Sequence, residues 1–256
     1  MTHLRVALSF LTILPVGLKR LPERLAPATL YFPLAGLLLG CALWGLDAEL
    51  RQVFPVALTS ALLLVALTIA TRALHVDGFL DSCDALFGAH TKERRLEILR
   101  DPHVGAFAVI GGASLLLVQW SALSSLPAAF RPEALLLFPC ISRWAMQLAM
   151  TAFPYARPEG LGAAFQRGKH PLFLCAGFAV ATVASVLFAG WAGVVFLVIG
   201  TCGALLLGAW MARLLGGLTG DSYGAVNEVV ATAVLLAAVA FAREVPGLFD
   251  APLAIG

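Results

Sequence analysis

Seven long apolar windows decide what this chain can fold into. They cover approximately residues 30–46, 53–70, 104–126, 134–152, 171–189, 191–212 and 227–243. An apolar helix needs roughly 20 residues to cross the hydrocarbon core of a bilayer. Only 12% of the residues are charged, whereas soluble domains have about 25%, so too little polar surface is left to cover a soluble globule. The sequence predicts an all-α, polytopic membrane helix bundle of about seven spans, forming a single domain over residues 1–256.

A shorter apolar stretch precedes these windows, from Leu4 to Val16. It is too short to span a bilayer, and no cleavage site of small residues follows it, which argues against a signal peptide. We expect a short interfacial or re-entrant segment here.

The loops between the windows divide the basic residues unequally. With seven crossings, loops 17–29, 71–103, 153–170 and 213–226 fall on one side of the membrane and carry twelve Lys and Arg residues. The other side receives 47–52, 127–133, 190 and the C-terminus, with three. Because basic residues concentrate in cytoplasmic loops, the first set is predicted to face the cytoplasm of a bacterial inner membrane.

Three aspartates stand at helical spacing in the loop 71–103, which holds eleven of the 32 charges. Asp77, Asp81 and Asp84 fall within about 60° of one another on one helix face. Their mutual repulsion is relieved by a hard cation such as Mg²⁺, which shares its coordination shell with substrate phosphates. This pattern predicts a cytoplasmic active-site loop for phosphoryl transfer; the alternative is a solvated acidic face. His75 would be a base or a partner of the metal ligands; the alternative, more common for a lone His, is that it has neither role.

A further helix is predicted after the aspartates, ending at Asp101. Glu97 and Asp101 would share one face of it, with Arg94 and Arg95 nearby. The spacing fits ordinary salt bridges on an amphipathic helix. Alternatively, the two arginines clamp phosphate, and Glu97 and Asp101 are additional metal ligands.

A glycine-rich segment enters the last window. Its exposed backbone N–H groups suit an anion, which makes Thr219 and Gly220 candidate phosphate-binding residues. Asp221 and Glu228 follow on the same predicted side of the membrane as the aspartate cluster. Together the two regions predict a bipartite site.

One arginine lies inside a predicted span. Arg143 is in the middle of window 134–152, where a charge costs roughly 2.5–3.5 kcal/mol on insertion scales. It should therefore face the bundle interior, either in a structural ion pair or toward a carboxylate or a phosphate.

Five ordered motifs resemble the cobalamin synthase (adenosylcobinamide-GDP ribazoletransferase) family, and the resemblance covers nearly the whole chain. One departure is Ala85, where the family pattern leads us to expect Gly. The motifs are His75-Val-Asp77-Gly-Phe-Leu-Asp81-Ser-Cys-Asp84; Glu93-Arg-Arg-Leu-Glu97 with Asp101-x-x-Val-Gly105; Ser142-Arg143; Pro154-Tyr155-Ala-Arg157 with Gly160-Leu-Gly162; and Thr219-Gly-Asp221 with Gly224-Ala-x-Asn-Glu228.

The resemblance implies an integral membrane enzyme that uses Mg²⁺. It would transfer the adenosylcobinamide-phosphate group from adenosylcobinamide-GDP to α-ribazole (or its 5′-phosphate), releasing GMP. It also implies the residue roles. The aspartates of the first motif would ligate Mg²⁺; Asp221 or Glu228 would complete the site or act as base; and the arginines Arg94, Arg95, Arg143 and Arg157 would stabilise charge.

The expected partners are these small substrates and the lipid bilayer, with no nucleic acid. A homo-oligomer, or a complex with other corrinoid-pathway enzymes, stays open. Two other functions are weighed. A CDP-alcohol phosphotransferase would show Asp-x-x-Asp-Gly-x-x-Ala-Arg, which the segment around Gly78 does not match. An ion or metal transporter would place its carboxylates at the membrane midplane in broken helices.

Overall fold

A computed structural model describes residues 2–16, 24–157 and 160–252. Within them every regular element is helical, apart from one isolated pairing between Tyr155 and Leu218. Short 3₁₀ turns precede α2 and α7 and follow α10. The α-helices are α1 (Thr2–Leu11), α2 (Phe32–Leu50), α3 (Val56–Ala70), α4 (Leu74–Gly88), α5 (Lys92–Ile98), α6 (Ala106–Ser125), α7 (Arg131–Ala152), α8 (Leu161–Gln166), α9 (Pro171–Leu215) and α10 (Gly220–Glu244).

The all-α membrane class is confirmed, but the predicted number of about seven spans is not. Among the described residues, five helical segments are long and apolar enough to cross a bilayer, those of α2, α6, α7, α9 and α10. The number rises to six if α3 and α4, which meet at 91°, form one broken span. The chain bends between them at Arg72 and Ala73, both of which have positive φ.

The windows 171–189 and 191–212 correspond to the two halves of α9. Gly190 between them has a non-helical backbone, with φ of 52°. A Cβ added to Gly193 would overlap the carbonyl of Ser185, although eight residues of straight helix would separate the two by about 12 Å. The chain therefore folds back at Gly190, and the two halves of α9 lie side by side.

Helix α7 forms the centre of the bundle. It packs against α2, α9 and α10, and almost all of its residues are buried. Gly36 and Gly40 of α2 lie so close to the α7 backbone that an added Cβ would overlap Pro139 or Leu136. Small residues four apart allow such close approach between membrane helices.

The two ends of the bundle receive the loops in the two groups expected from the sequence. At one end, Arg131 contacts Asp47, and Gly190 contacts Asp250. At the opposite end lie α4, α5, α8 and the start of α10. Lys19 and Arg20, counted among the basic residues of the first loop, lie outside the described residues.

The N-terminal segment forms α1, whose ten residues span about 15 Å, less than a bilayer. It packs against α2 and the 3₁₀ turn before it, and Phe10 contacts Phe32 and Phe165. This agrees with the expected short segment and places α1 beside the loops that hold the predicted site.

Candidate functional site

Two halves of the predicted site meet where α4 crosses the first turns of α10. A Cβ on Gly78 would lie 2.9 Å from the Cα of Asp221, and one on Gly224 would lie 2.9 Å from the carbonyl oxygen of His75. Only glycine permits so short a distance between the helix backbones. The crossing brings the aspartate motif of α4 next to the glycine-rich segment, as the bipartite site requires.

A cavity of about 160 Å³ opens beside this crossing. Asp77 and Asp221 both line it, and so does Gly220 at the start of α10. The remainder of its wall comes from five helices and contributes Phe10, Leu74, His75, Gly78, Met146, Met150, Gly162, Tyr223 and Gly224. The structure therefore brings one carboxylate from each half of the predicted site into a single cavity.

Asp221 is held by two neighbours. Arg157 donates to its Oδ2 at 3.3 Å, and the hydroxyl of Thr219 donates to the same oxygen at 3.2 Å. Thr219 is buried and also caps α10, since its hydroxyl accepts the N–H of Ser222 at 3.2 Å. Arg157 further donates to the carbonyl of Leu99 at 3.1 Å. In the structure, Thr219 caps the N-terminus of α10. Its predicted role in phosphate binding stays a prediction.

A short backbone pairing fixes the loops around Arg157 and Asp221. Ala156 donates to the carbonyl of Leu218, and Leu218 donates to the carbonyl of Pro154, both at 2.8 Å. Tyr155, in the same loop, packs on Gly162, and burial raises the pKa of its hydroxyl. Tyr155 therefore stays protonated and serves as packing and a hydrogen-bonding group.

Asp84 has a different environment from the other two aspartates of α4. Its carboxylate accepts the backbone N–H groups of Gly105 at 2.6 Å and Ala108 at 2.9 Å, which caps α6. Asp81 is partly exposed and lies within electrostatic reach of Asp77 and Asp221. The three aspartates do share α4, but one of them is engaged by backbone donors.

Helix α5 ends at Ile98, and Asp101 lies beyond it, in a turn. The expectation that Glu97 and Asp101 share a helix face is therefore wrong. Proline disfavours helical backbone at the preceding residue, and Asp101 precedes Pro102. Its carboxylate instead contacts His103 through the ring at 2.6 Å and the backbone N–H at 3.0 Å. These hydrogen bonds, the ring contact first, lower the pKa of Asp101.

The arginines of α5 are not assembled around the cavity. Arg94 pairs with Glu97 at 2.9 Å, and both side chains are 64% exposed, so this is a surface salt bridge of small energetic value. Neither Arg94 nor Arg95 lines the cavity. Their proposed contact with phosphate thus depends on a substrate larger than the cavity itself.

Arg143 faces the bundle interior, as expected for a charge within a span. Its guanidinium donates to the Ser142 hydroxyl at 3.2 Å and lies 3.4 Å from Nδ1 of His75. Glu228 is also buried, but away from the cavity wall, and accepts amide hydrogen bonds from Asn227 and Gln119, both at 3.1 Å. These residues form a polar core beneath the cavity.

Similarity to known proteins shows the family to which the chain belongs. The family model for cobalamin-5-phosphate synthase matches residues 3–239. The chain belongs to the cobalamin-5-phosphate synthase family. Proteins named adenosylcobinamide-GDP ribazoletransferase are similar to it. The one from Desulfitobacterium hafniense (strain Y51) is 38% identical, with 93% of this chain and 96% of the relative covered. The one from Pseudomonas paraeruginosa (strain DSM 24068 / PA7) is 40% identical, with 91% and 96% covered. No solved structure matches the chain significantly.

Membership of the cobalamin-5-phosphate synthase family makes the chain a transferase and raises the question of its metal. In the part of the chain that the structure describes, no three His, Cys, Asp or Glu side chains are grouped to hold an ion. Mg²⁺, however, is usually bound by one or two carboxylates together with substrate phosphates rather than by a complete protein cage. The carboxylates of Asp77 and Asp81, four residues apart on α4, fit that manner of binding, and Asp84, bonded to backbone donors, fits it less well.

Several residues of this family member's site were not predicted from the sequence. Phe10, Met146, Met150 and Tyr223 line the cavity, and Gln119 holds Glu228. In a chain this apolar, hydrophobicity does not separate cavity-facing from lipid-facing side chains. The polar Gln119 within window 104–126 was the one signal that could have been used.

Proposed function

We propose that this protein joins adenosylcobinamide-GDP to α-ribazole (or its 5′-phosphate) with release of GMP, in an Mg²⁺-dependent reaction. In this reaction a ribose hydroxyl of the ribazole that is free with or without the 5′-phosphate attacks the phosphorus next to cobinamide, and the bond from that phosphorus to the bridging oxygen breaks. GMP leaves with the bridging oxygen, and the attacking hydroxyl loses its proton. The observation that carries the proposal is the meeting of Asp77 and Asp221, from two family motifs, in one cavity.

The chain's own residues would hold the reacting groups. Asp77 and Asp81 would hold Mg²⁺ against the diphosphate, and the ion would neutralise charge on the phosphate oxygens. Asp221 would take the proton from the nucleophile, since it lines the cavity while Glu228 accepts two amide hydrogen bonds inside the bundle. Arg157 would orient Asp221 through their hydrogen bond and would also stabilise the negative charge of the phosphate.

The site is proposed to face the cytoplasm of a bacterial inner membrane. The support is the charge bias of the loops, since the ten basic residues of this loop group that the structure describes are at the end that holds the cavity. Asp250 contacts Gly190 at the opposite end. A reporter fused after Gly256 should therefore be active only if it works outside the cytoplasm; activity of a cytoplasm-specific reporter alone would contradict the orientation.

The activity is tested with the purified full-length chain in detergent. GMP release should require both α-ribazole and adenosylcobinamide-GDP, stop when EDTA is added and return with excess Mg²⁺. Mass spectrometry should identify the joined product. Release of GMP without α-ribazole, or no release at all, would argue against the proposed reaction and reopen transport.

Asp81→Asn provides the matched test of the acidic site. Because Asp81 is partly exposed and its replacement is isosteric, the variant should fold and reach the membrane in wild-type amounts. Turnover should nevertheless be lost. A variant with near-wild-type product formation would remove Asp81 from the site.

A further inference from the structure

The cavity between α1, α4, α7, α8 and α10 has two chemically different parts. Asp221 lies in the first turn of α10, at the loop end of the bundle. Met146 lies six residues inside the end of α7, which corresponds to about 9 Å along the helix. Met146, Met150 and Tyr223 are buried, and the Tyr223 hydroxyl is already bonded to Gln166 at 2.8 Å. The carboxylates are therefore at the mouth, and the deeper wall offers thioethers and an aromatic face.

The volume restricts what can enter. A cavity of about 160 Å³ is close to the roughly 150 Å³ that holds one benzene molecule in an engineered protein cavity. A corrin macrocycle is far larger than this. A cavity of this size admits one six-membered ring of a substrate base, and the second ring of the base and its attached sugar must remain toward the mouth.

The lining favours one base over the other. The edge of guanine carries an amino group, an N–H and a carbonyl oxygen, and burying such groups without partners costs free energy. Phe10, Leu74, Met146 and Met150 provide no hydrogen-bonding side chain for that edge. The imidazole of His75 also lines the cavity, and because its Nδ1 faces Arg143, its Nε2 could pair with only one of the three polar groups of guanine. The corresponding edge of dimethylbenzimidazole consists of two methyl groups, and methionine sulfur makes favourable contacts with aromatic rings.

We infer that this cavity is the subsite for the dimethylbenzimidazole ring of α-ribazole, an inference that rests on the proposed function. The ring lies between Met146, Met150 and Tyr223. Its ribose extends to the mouth, where the attacking ribose hydroxyl meets Asp77 and Asp221. The corrinoid and the guanine nucleotide bind outside the cavity. The protein thereby selects its nucleophile by the apolar edge of the base.

Met150→Ala tests this assignment, and Met211→Ala is the matched control. Met211 is a buried methionine of α9 that does not line the cavity. For Met150→Ala we expect the KM for α-ribazole to rise about tenfold or more while the KM for adenosylcobinamide-GDP stays within twofold. For Met211→Ala both KM values should stay within twofold of the wild type.

The two methyl groups of the base provide a second measurement. With the wild-type protein, the ribazole analogue without these methyl groups should show about a tenfold higher KM than α-ribazole. With Met150→Ala the same change of substrate should matter less than threefold, because the residue that contacts the methyl groups is already shortened. Equal effects in both proteins would overturn the inference, and so would a selective rise in the KM for adenosylcobinamide-GDP.

Gly220→Ala is a second, independent variant that tests the subsite even if Met150→Ala fails to fold. Gly220 lines the cavity, and a Cβ built on it meets no atom within 4 Å, so the added methyl group narrows the mouth without displacing protein. It should raise the KM for α-ribazole selectively; an unchanged KM would count against the subsite.

Equilibrium dialysis of α-ribazole against the purified full-length protein separates this inference from the proposed reaction. Binding by the wild type that Met150→Ala weakens supports the subsite even if no GMP is released, in which case the proposed reaction alone fails. Turnover combined with unaltered binding in Met150→Ala overturns the subsite alone. Absence of both turnover and binding overturns both.

Discussion

The carboxylate of Asp84 accepts the backbone N–H of Gly105 at 2.6 Å and so ties α4 to the start of α6. A second hydrogen bond, from the N–H of Ala108 at 2.9 Å, uses its other oxygen. The first N–H groups of a helix have no partner within the helix, and here an aspartate from another helix supplies one.

Asp84→Ala should therefore lower stability. Loss of a helix cap typically costs about 0.5–2 kcal/mol, which thermal unfolding of the detergent-solubilised protein can measure. Asp81→Asn, which alters no cap, is the control and should keep the wild-type midpoint. A wild-type midpoint together with lost turnover in Asp84→Ala would instead make Asp84 a reacting group.

Gly78→Ala should disturb both stability and activity. The added methyl group would lie 2.9 Å from the Cα and the carbonyl oxygen of Asp221, and overpacking of this kind costs about 1–3 kcal/mol. Because the clash is with Asp221 itself, kcat should fall more than tenfold. Gly45→Ala is the control, since a Cβ there meets nothing within 4 Å; it should be neutral or stabilising. Unchanged unfolding of Gly78→Ala would mean that the two helices are not so closely packed.

The ion pair between Asp47 and Arg131, at the opposite end of the bundle from the cavity, should affect the stability of the protein but not its turnover. Arg131 is fully buried, and its Nε donates to Asp47 at 2.8 Å. Breaking a buried pair by removing one partner costs about 3–5 kcal/mol, whereas replacing both by apolar groups costs far less. Asp47→Ala should thus unfold much earlier than the double variant Asp47→Leu with Arg131→Met.

The same variants provide a check on where the chemistry is. Turnover per folded molecule should equal that of the wild type in the double variant. A loss of turnover that its unfolding does not account for would connect the far end of the bundle to the site.

Asp221→Asn and Glu228→Gln should have unequal effects on turnover. General-base catalysis contributes typically 10²–10⁴-fold, so Asp221→Asn should reduce kcat by at least about 100-fold. Glu228→Gln removes a charge that lies away from the cavity and should reduce kcat less than tenfold. Stability should fall because the new amide has one acceptor oxygen, so either Gln119 or Asn227 loses its hydrogen bond. The reverse order of the two kcat values would assign the base to Glu228.

The sequence predicted the features that depend on local pattern. Helical spacing was enough to place Asp77, Asp81 and Asp84 on one helix, and apolar length was enough to predict a membrane bundle. Windows 171–189 and 191–212 were predicted as separate spans with the loop at residue 190, and the chain does fold back at Gly190. The number of spans was harder to predict because window 53–70 is followed by a sharp bend. Length and composition do not reveal such bends.

Features that depend on contacts between distant segments could not be predicted from the sequence. The Asp84 cap joins residues 21 positions apart, and nothing in the aspartate spacing distinguishes a cap from a metal ligand. The predicted helix ended at Asp101, three residues beyond the observed end of α5 at Ile98. Pro102 signalled a helix end in this region, but it did not give the exact position. The cavity wall is formed by residues of five helices, and the uniform hydrophobicity of the chain does not distinguish them from lipid-facing residues.

The backbone pairing of Ala156 and Leu218 has a consequence for catalysis. Arg157 directly follows Ala156, and Asp221 comes three residues after Leu218, so backbone hydrogen bonds set the separation between these opposite charges. The electrostatic field at the cavity mouth is thus in place before a substrate arrives. A preorganised site of this kind avoids the reorganisation that water would need around a developing phosphate charge.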